Sequence, residues 1–321
     1  MRGERQENNG GCILVGKLLA AMLTAVLSLL AAVATVQAEN QQTAALTRPV
    51  DPADITGFLL DPGYQRQLQL RSASALIIDE LTGEQLYASH ADRAAPIASL
   101  TKLMTAMVVL DADLPLDAQL SISAEDFDRL RGTGSRLRKG ATLSRRQMLH
   151  LALMSSENRA AAALARTFPG GTPAFIAAMN RKATALGLSQ THFADSTGLD
   201  GRNRSSAEDL ARLVRAAAEY PLIREFTTST SRQVTLGANA GLLEYRNTNP
   251  LVRKPEWEIG LSKTGYINEA GRCLVMKVRI AGRPTIIVLL NAQGKYSNVG
   301  DANRIRKWIE GAGQNLLAER G

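Results

Sequence analysis

Pro96-Ile97-Ala98-Ser99-Leu100-Thr101-Lys102-Leu103-Met104 is the stretch on which fold and chemistry turn together in this 321-residue chain. Pro96 precedes a predicted helix from about Ser99 to Asp111. Residues three apart on a helix share a face, so the Lys102 amine can reach the Ser99 hydroxyl. A serine hydroxyl is a weak nucleophile and needs an adjacent base. A lysine serves as that base only if its pKa is lowered, by burial or by a second cation. Ile97-Ala98 before the pair and Leu103-Met104 after it make a mostly buried helix end, which supplies the burial. Alone, the pair reads more readily as a capping serine and a solvated lysine.

Two later segments change the odds. Ser156-Glu157-Asn158 follows the apolar tail Leu151-Ala152-Leu153-Met154 of a helix. A hydroxyl and an amide two residues apart on a loop can point into one cleft. Ser156 could relay a proton to a leaving amine, while Asn158 could bind a substrate carbonyl and orient Lys102. Ser155 or Ser156 could also simply cap the helix that begins near Arg159. Glu157 reads as a solvated first-turn acid. Lys263-Thr264-Gly265 lies on a predicted strand after Ile259-Gly260-Leu261. There Lys263 and Thr264 form a carboxylate clamp, and Gly265 lets the backbone approach a ligand closely. Lys263 is also a candidate for the cation that lowers the Lys102 pKa. The patterns Ser-x-x-Lys, Ser-x-Asn and Lys-Thr-Gly each occur once, in that order.

The elements around them give the fold class. Ala73–Asp79 is strand-like and turns at Leu81-Thr82-Gly83-Glu84 into Gln85-Leu86-Tyr87. The middle is helical. Ser144 with Gln147 forms a capping box, Pro173 opens a helix that closes at Gly187, and Ser205 with Glu208 caps another. Residues 260–264, 273–280 and 285–291 are strand-like, with Gly282-Arg283-Pro284 as a hairpin connection, and a last helix runs from about Asn298 to Gly311. Strands, helices, strands and a helix predict an α+β fold: an antiparallel sheet whose terminal segments pair, with flanking terminal helices and an all-helical subdomain.

The N-terminus is set apart from this. Arg2, Arg5 and Lys17 lead into an apolar run, Leu18–Val33, and then Val36-Gln37-Ala38, a small-residue cleavage site. Residues 1–38 therefore read as a secretory signal peptide. The other reading is an uncleaved anchor, since Leu18–Val36 is close to spanning length. With cleavage no stable membrane anchor is left. Residues 39–70 read as a linker and lead-in, and residues 71–321 as the catalytic domain. Removing residues 1–38 takes away three bases and two acids, so the net charge falls from +8 to +7. In an exported protein such a surface suits an envelope polyanion. No basic–aromatic stripe accompanies it, which argues against nucleic acid. Cys273 is then the one cysteine left and reads as a buried small hydrophobe. His90, His150 and His192 lack ligand spacing, so neither a metal nor a Ser-His-Asp triad is expected. No cofactor is implied. Trp257 and Trp308 read as core residues.

The ordered set is the signature of penicillin-binding proteins and class A β-lactamases. Over roughly residues 71–311 the chain resembles the low-molecular-mass penicillin-binding proteins, serine D-alanyl-D-alanine peptidases. It is most similar to the small endopeptidases of the penicillin-binding protein 7 type. The segments that carry this are 96–104, Leu153-Met154-Ser155-Ser156-Glu157-Asn158-Arg159-Ala160, Arg246-Asn247-Thr248-Asn249 and Lys263-Thr264-Gly265-Tyr266. The resemblance implies a β-lactamase/transpeptidase-like fold. It implies that Ser99 is acylated, that Lys102 accepts its proton, and that Ser156 and Asn158 complete the proton path. It further implies that Lys263 and Thr264 hold a substrate carboxylate, and that the Ser99 and Tyr266 backbone N–H groups form the oxyanion hole. The expected partners are peptidoglycan stem peptides in the periplasm, with β-lactams as covalent inhibitors. Only 56 residues follow Gly265, which favours the single-domain endopeptidase form over carboxypeptidases with an added β-rich domain. No Glu-x-x-x-Asn loop lies between Asn158 and Lys263, which disfavours a β-lactamase. A penicillin sensor, the remaining alternative, would need a signalling domain or several membrane spans.

Overall fold

A computed structural model describes Met22 and residues 26–37, 52–236 and 241–319. Residues 26–37 (α1) are helical, and their apolar side chains, among them Leu27, Leu30 and Val33, are exposed. No helix among the described residues is long and apolar enough to cross a membrane. The expected cleavage point at Ala38 and the linker over 39–51 lie outside the described residues. Contacts divide the chain into two units, residues 1–51 with 314–321, and residues 52–313. The second holds the elements that follow, up to residue 313 within the last helix.

That unit opens with α2 (Pro52–Leu60) and α3 (Pro62–Gln65), then β1 (Ser72–Asp79), β2 (Gln85–Ser89) and β3 (Ala95–Pro96). A 3-10 turn over Ala98–Thr101 leads into α4 (Lys102–Asp111). Next come β4 (Gln119–Ser121), β5 (Thr142–Ser144), α5 (Arg145–Met154), α6 (Asn158–Arg166) and α7 (Gly171–Ala185). They are followed by β6 (Arg204–Ser205), α8 (Ala207–Ala217), α9 (Pro221–Thr228), β7 (Ser231–Thr235) and β8 (Leu242–Arg246). The last elements are β9 (Glu258–Ile267), β10 (Gly271–Ile280), β11 (Arg283–Ala292) and α10 (Ser297–Glu319).

Five strands form one antiparallel sheet in the order β2-β1-β11-β10-β9, so the N- and C-terminal segments pair through β1 and β11. Alternate side chains leave a strand on opposite faces. Leu76, Ile78, Val275, Ile286, Val288 and Leu290 enter the core shared with α4–α9. Ala75, Ile77, Leu274, Met276, Ile287 and Leu289 enter a second core with α2, α3 and α10. Burial on both faces explains why these strands read as continuous apolar runs. Trp257 and Trp308 belong to the second core, as expected. So does the stack of Tyr64 on Trp308, with Tyr64 Oη donating to the Trp308 carbonyl at 2.7 Å.

The sequence reading differs from the structure in several places. Residues 52–65, assigned to the linker and lead-in, are two helices: Leu59 and Tyr64 are core residues, and buried Arg283 donates to Asp79 of β1 and Thr56 of α2. The unit therefore begins near Pro52 rather than at 71. The helical part also holds two small antiparallel strand pairs, β4–β5 and β7–β8. The cap of α8 is Ser206, accepting from Asp209 N, one position after the expected Ser205. The Ser144–Gln147 capping box is formed in both directions.

Candidate active site

β9 is an edge strand, and a bulge on it aims the clamp. Lys277 faces Leu261 while Val278 faces Ile259, so Gly260 is an extra residue. The bulge switches faces. Ile259 packs with the second core, whereas Leu261 belongs to the core under the helices. Two residues on, Lys263 leaves the same face and runs to Ser156, its Nζ donating to Ser156 Oγ at 2.9 Å. Thr264 Oγ1 donates to Thr248 Oγ1 at 2.7 Å.

Ser99 sits in the 3-10 turn, where residues i and i+3 eclipse. Lys102 Nζ is 2.8 Å from Ser99 Oγ, 2.8 Å from Asn158 Oδ1 and 2.6 Å from the Thr197 carbonyl. The amine is thus held by three acceptors. Lys102 is wholly buried, and burial pushes its pKa down to about 7, against the opposing pull of Asp195 and Glu157. Lys263, 1% exposed, is pushed well below the ordinary lysine value, first by burial and then by the charge of Lys102. Burial, rather than the second cation, is therefore the leading cause at Lys102.

Two non-glycine residues beside the reacting groups have left-handed backbones: Ala98 (φ 48°) and Ser156 (φ 59°). Such conformations cost roughly 1–2 kcal/mol each and persist only where the surroundings enforce them. Here Gly265 is one enforcing contact. A Cβ on it would lie 3.0 Å from the Ile97 carbonyl and 3.0 Å from Ser99 N. The glycine thus admits the nucleophile's own backbone, where the sequence had suggested a ligand. Glu157 is buried and caps α6 through Arg159 N, so it is not a solvated acid, and neither Ser155 nor Ser156 is that cap. Tyr266 is exposed, with the Arg272 guanidinium 4.3 Å from its ring centroid.

Contacts bring Ser99, Lys102 and Asn158 together, pair Lys263 with Ser156 and Thr264 with Thr248, and set Gly265 against Ser99, with Tyr266 next along β9. Sequence reasoning missed what holds them. Asn158 Nδ2 donates to Thr133 Oγ1 at 3.1 Å, and Asp128 fixes that loop by accepting from Thr133 N and Oγ1. The loop from Asp195 to Asn203 presents the Thr197 carbonyl to Lys102. Asp195 accepts from the backbone N–H groups of Thr197, Gly198 and Asp200, and Asn203 bridges it to Thr101. The run Asp195-Ser196-Thr197-Gly198 with Asn203 is turn chemistry, and only that was visible.

Gly198 carries a prediction. It has φ 82°, and a Cβ there would stand 1.9 Å from the Ala98 carbonyl oxygen, a backbone atom. Gly198→Ala should cost about 2–4 kcal/mol of stability. It should also slow acylation by a fluorescent penicillin several-fold, because Thr197 and Ala98 must part. A wild-type melting temperature in this variant would contradict that packing.

The family model of peptidase S11, D-alanyl-D-alanine carboxypeptidase, matches residues 62–294. The chain belongs to that family. It is 50% identical to a D-alanyl-D-alanine endopeptidase of Pseudomonas aeruginosa over 77% of this chain and 80% of that protein. It is 48% identical to the D-alanyl-D-alanine endopeptidase of Escherichia coli over 76% and 79%. A D-alanyl-D-alanine carboxypeptidase of Streptomyces is 31% identical, over 71% of this chain and 83% of that one. Among solved structures, the Streptomyces K15 DD-transpeptidase superposes with a TM-score of 0.69 at 27% identity, covering 76% of this chain and 98% of that one. The chain is a serine hydrolase of this family, and its α+β architecture is that of the DD-peptidases.

Proposed function

We propose that the chain is a DD-endopeptidase that cuts D-alanyl cross-links in peptidoglycan through an acyl-enzyme on Ser99. The observation that carries this is the 2.8 Å contact of a wholly buried amine, with its pKa near 7, on the Ser99 hydroxyl. At neutral pH an appreciable share of Lys102 is unprotonated and able to act as a base. The Ser99 oxygen attacks the D-Ala carbonyl as its proton passes to Lys102. The C–N bond then breaks and the amine leaves with a proton relayed through Ser156. Water next attacks the ester, the acyl–oxygen bond breaks and Ser99 regains its proton. Asn158 Oδ1 orients Lys102, while Nδ2, one of whose hydrogens is used on Thr133, can donate to a substrate carbonyl.

The free edge of β9 supports an extended substrate laid alongside it. Lys263 and Thr264 then meet the carboxylate of the leaving residue, whose charge pulls the Lys263 pKa back up. The Ser99 and Tyr266 backbone N–H groups serve as the oxyanion hole, each such donor being worth about 10²–10³ in rate. The names of the more similar relatives favour the endopeptidase over the carboxypeptidase reading. A β-lactam, imitating the D-Ala end, acylates Ser99 and stays. The signal-like residues 1–38 support export to the periplasm.

The test offers the purified chain a cross-linked muropeptide dimer and a pentapeptide monomer, with products read by mass. Conversion of dimer to monomers with the pentapeptide untouched is expected. Loss of a single D-Ala from the pentapeptide with the dimer intact would make the protein a carboxypeptidase.

A further inference from the structure

We propose that the groove between residues 134–136 and β8, with Arg138 and Lys139 on the adjoining cavity, is the subsite for the leaving strand, an acidic peptide arm of the cross-link. This rests on the endopeptidase reading above. A carboxypeptidase releases a single amino acid and needs no room beyond its carboxylate clamp. In a cross-link, the carbon that bears the clamped carboxylate also bears a side chain that continues into a second stem. That arm must leave the site past Lys263 and Thr264. Their next neighbours are Ser156 and Thr248. Beyond these, Ser155 and Arg246 line a cavity of about 780 Å³, with Ser135, Arg136 and Tyr245 as further walls. Ser155 adjoins Ser156 in the chain and Arg246 lies two residues before Thr248, so one wall of this groove stands next to the clamp.

The charges fit an acidic arm. Arg136 is fixed in place, its guanidinium 3.9 Å from the Tyr245 ring centroid and its Nη1 donating to the Glu244 carbonyl at 2.7 Å. Arg246 stands at the rim, 72% exposed, in a 3.2 Å pair with the Glu244 carboxylate. Such exposed pairs are worth little and yield readily to a ligand. Arg138 and Lys139 line an adjoining cavity of about 800 Å³ that shares Ser135 and Arg136. Against these cations stand Glu244 and Glu157, and the latter is engaged as the α6 cap. Tyr245 supplies an unused donor beside the groove. It is 2% exposed and lines the groove, yet its hydroxyl has no hydrogen-bond partner among the described residues. Peptidoglycan stems carry free carboxylates, which match both features.

Steady-state kinetics on the muropeptide dimer tests this with Arg136→Glu and Arg246→Glu, each measured against Lys307→Glu. The last makes the same charge change at an exposed position on α10. Each arginine variant should raise KM for the dimer about tenfold at low salt, more than a single neutralised exposed pair would give, because the charge is reversed. The rate of Ser99 acylation by a fluorescent penicillin, which has no second stem, should stay within about twofold in the same variants. Lys307→Glu should change neither. A dimer cleaved with unchanged KM by both arginine variants overturns the subsite while leaving the endopeptidase standing. A dimer left whole by the wild-type protein, with penicillin still bound, overturns both.

Discussion

Ser99→Ala removes covalent penicillin labelling altogether and lowers hydrolysis of the cross-linked dimer by at least about 10³-fold. An acyl-enzyme needs an oxygen at that position, and no neighbour can stand in. Ser156 is committed to Lys263 at 2.9 Å, while Lys102 is held on Asn158. Whatever rate survives comes from oxyanion binding and positioning, which alone can give roughly 10³–10⁴ over water in a serine enzyme without its nucleophile. The variant should fold normally. Lys102 keeps Asn158 and the Thr197 carbonyl as acceptors, and the half-buried hydroxyl fills no core space. Gel fluorescence after penicillin treatment, with the melting temperature as control, measures this. A labelled, well-folded variant would show that another residue is the nucleophile.

The parts of this site legible in sequence were those whose partners are near in the chain or fixed by local geometry. Ser99 and Lys102 are three residues apart, and a 3-10 turn brings their side chains together even more directly than the helix expected there. The Ser144 capping box and the apolar strands β10 and β11 carry their own local signals. Long-range supports carried none. The Thr197 carbonyl meets Lys102 across 95 positions and the Thr133 hydroxyl meets Asn158 across 25. Such contacts are decided by the fold, and a stretch such as Asp195-Ser196-Thr197-Gly198 announces a turn without saying what it faces. Residues 52–65 failed for a related reason. Two helices of 9 and 4 residues, with prolines and glycines, have little propensity of their own. They exist because Leu59 and Tyr64 find the far face of the sheet. At Gly265 the spacing shows that something must come close, and only the packing shows that Ile97 and Ser99 do so.

Lys102→Met separates the base from the burial that creates it. The replacement keeps length and apolar bulk, so the pocket stays filled, but no group remains to accept the Ser99 proton. Acylation by penicillin should fall about 10²–10⁴-fold, the usual worth of a positioned general base. The pH profile should change with it. In the wild type the neutral amine is the active form. With its pKa near 7, the acylation rate should rise about tenfold per pH unit below 7 and level off above it. The variant should lose that midpoint. Stability moves in a linked way. An unfolded chain carries Lys102 at the ordinary lysine value, so between about pH 7 and 10 the unfolded state binds more protons there than the folded state. Wild-type stability therefore gains with rising pH across that window from this residue, and the methionine variant lacks the gain. Comparing the two by denaturant unfolding at pH 7 and pH 10, the difference should shift toward the variant at pH 7. If the two proteins respond identically to pH, in rate and in stability, Lys102 is an ordinary charged lysine and cannot be the base that activates Ser99.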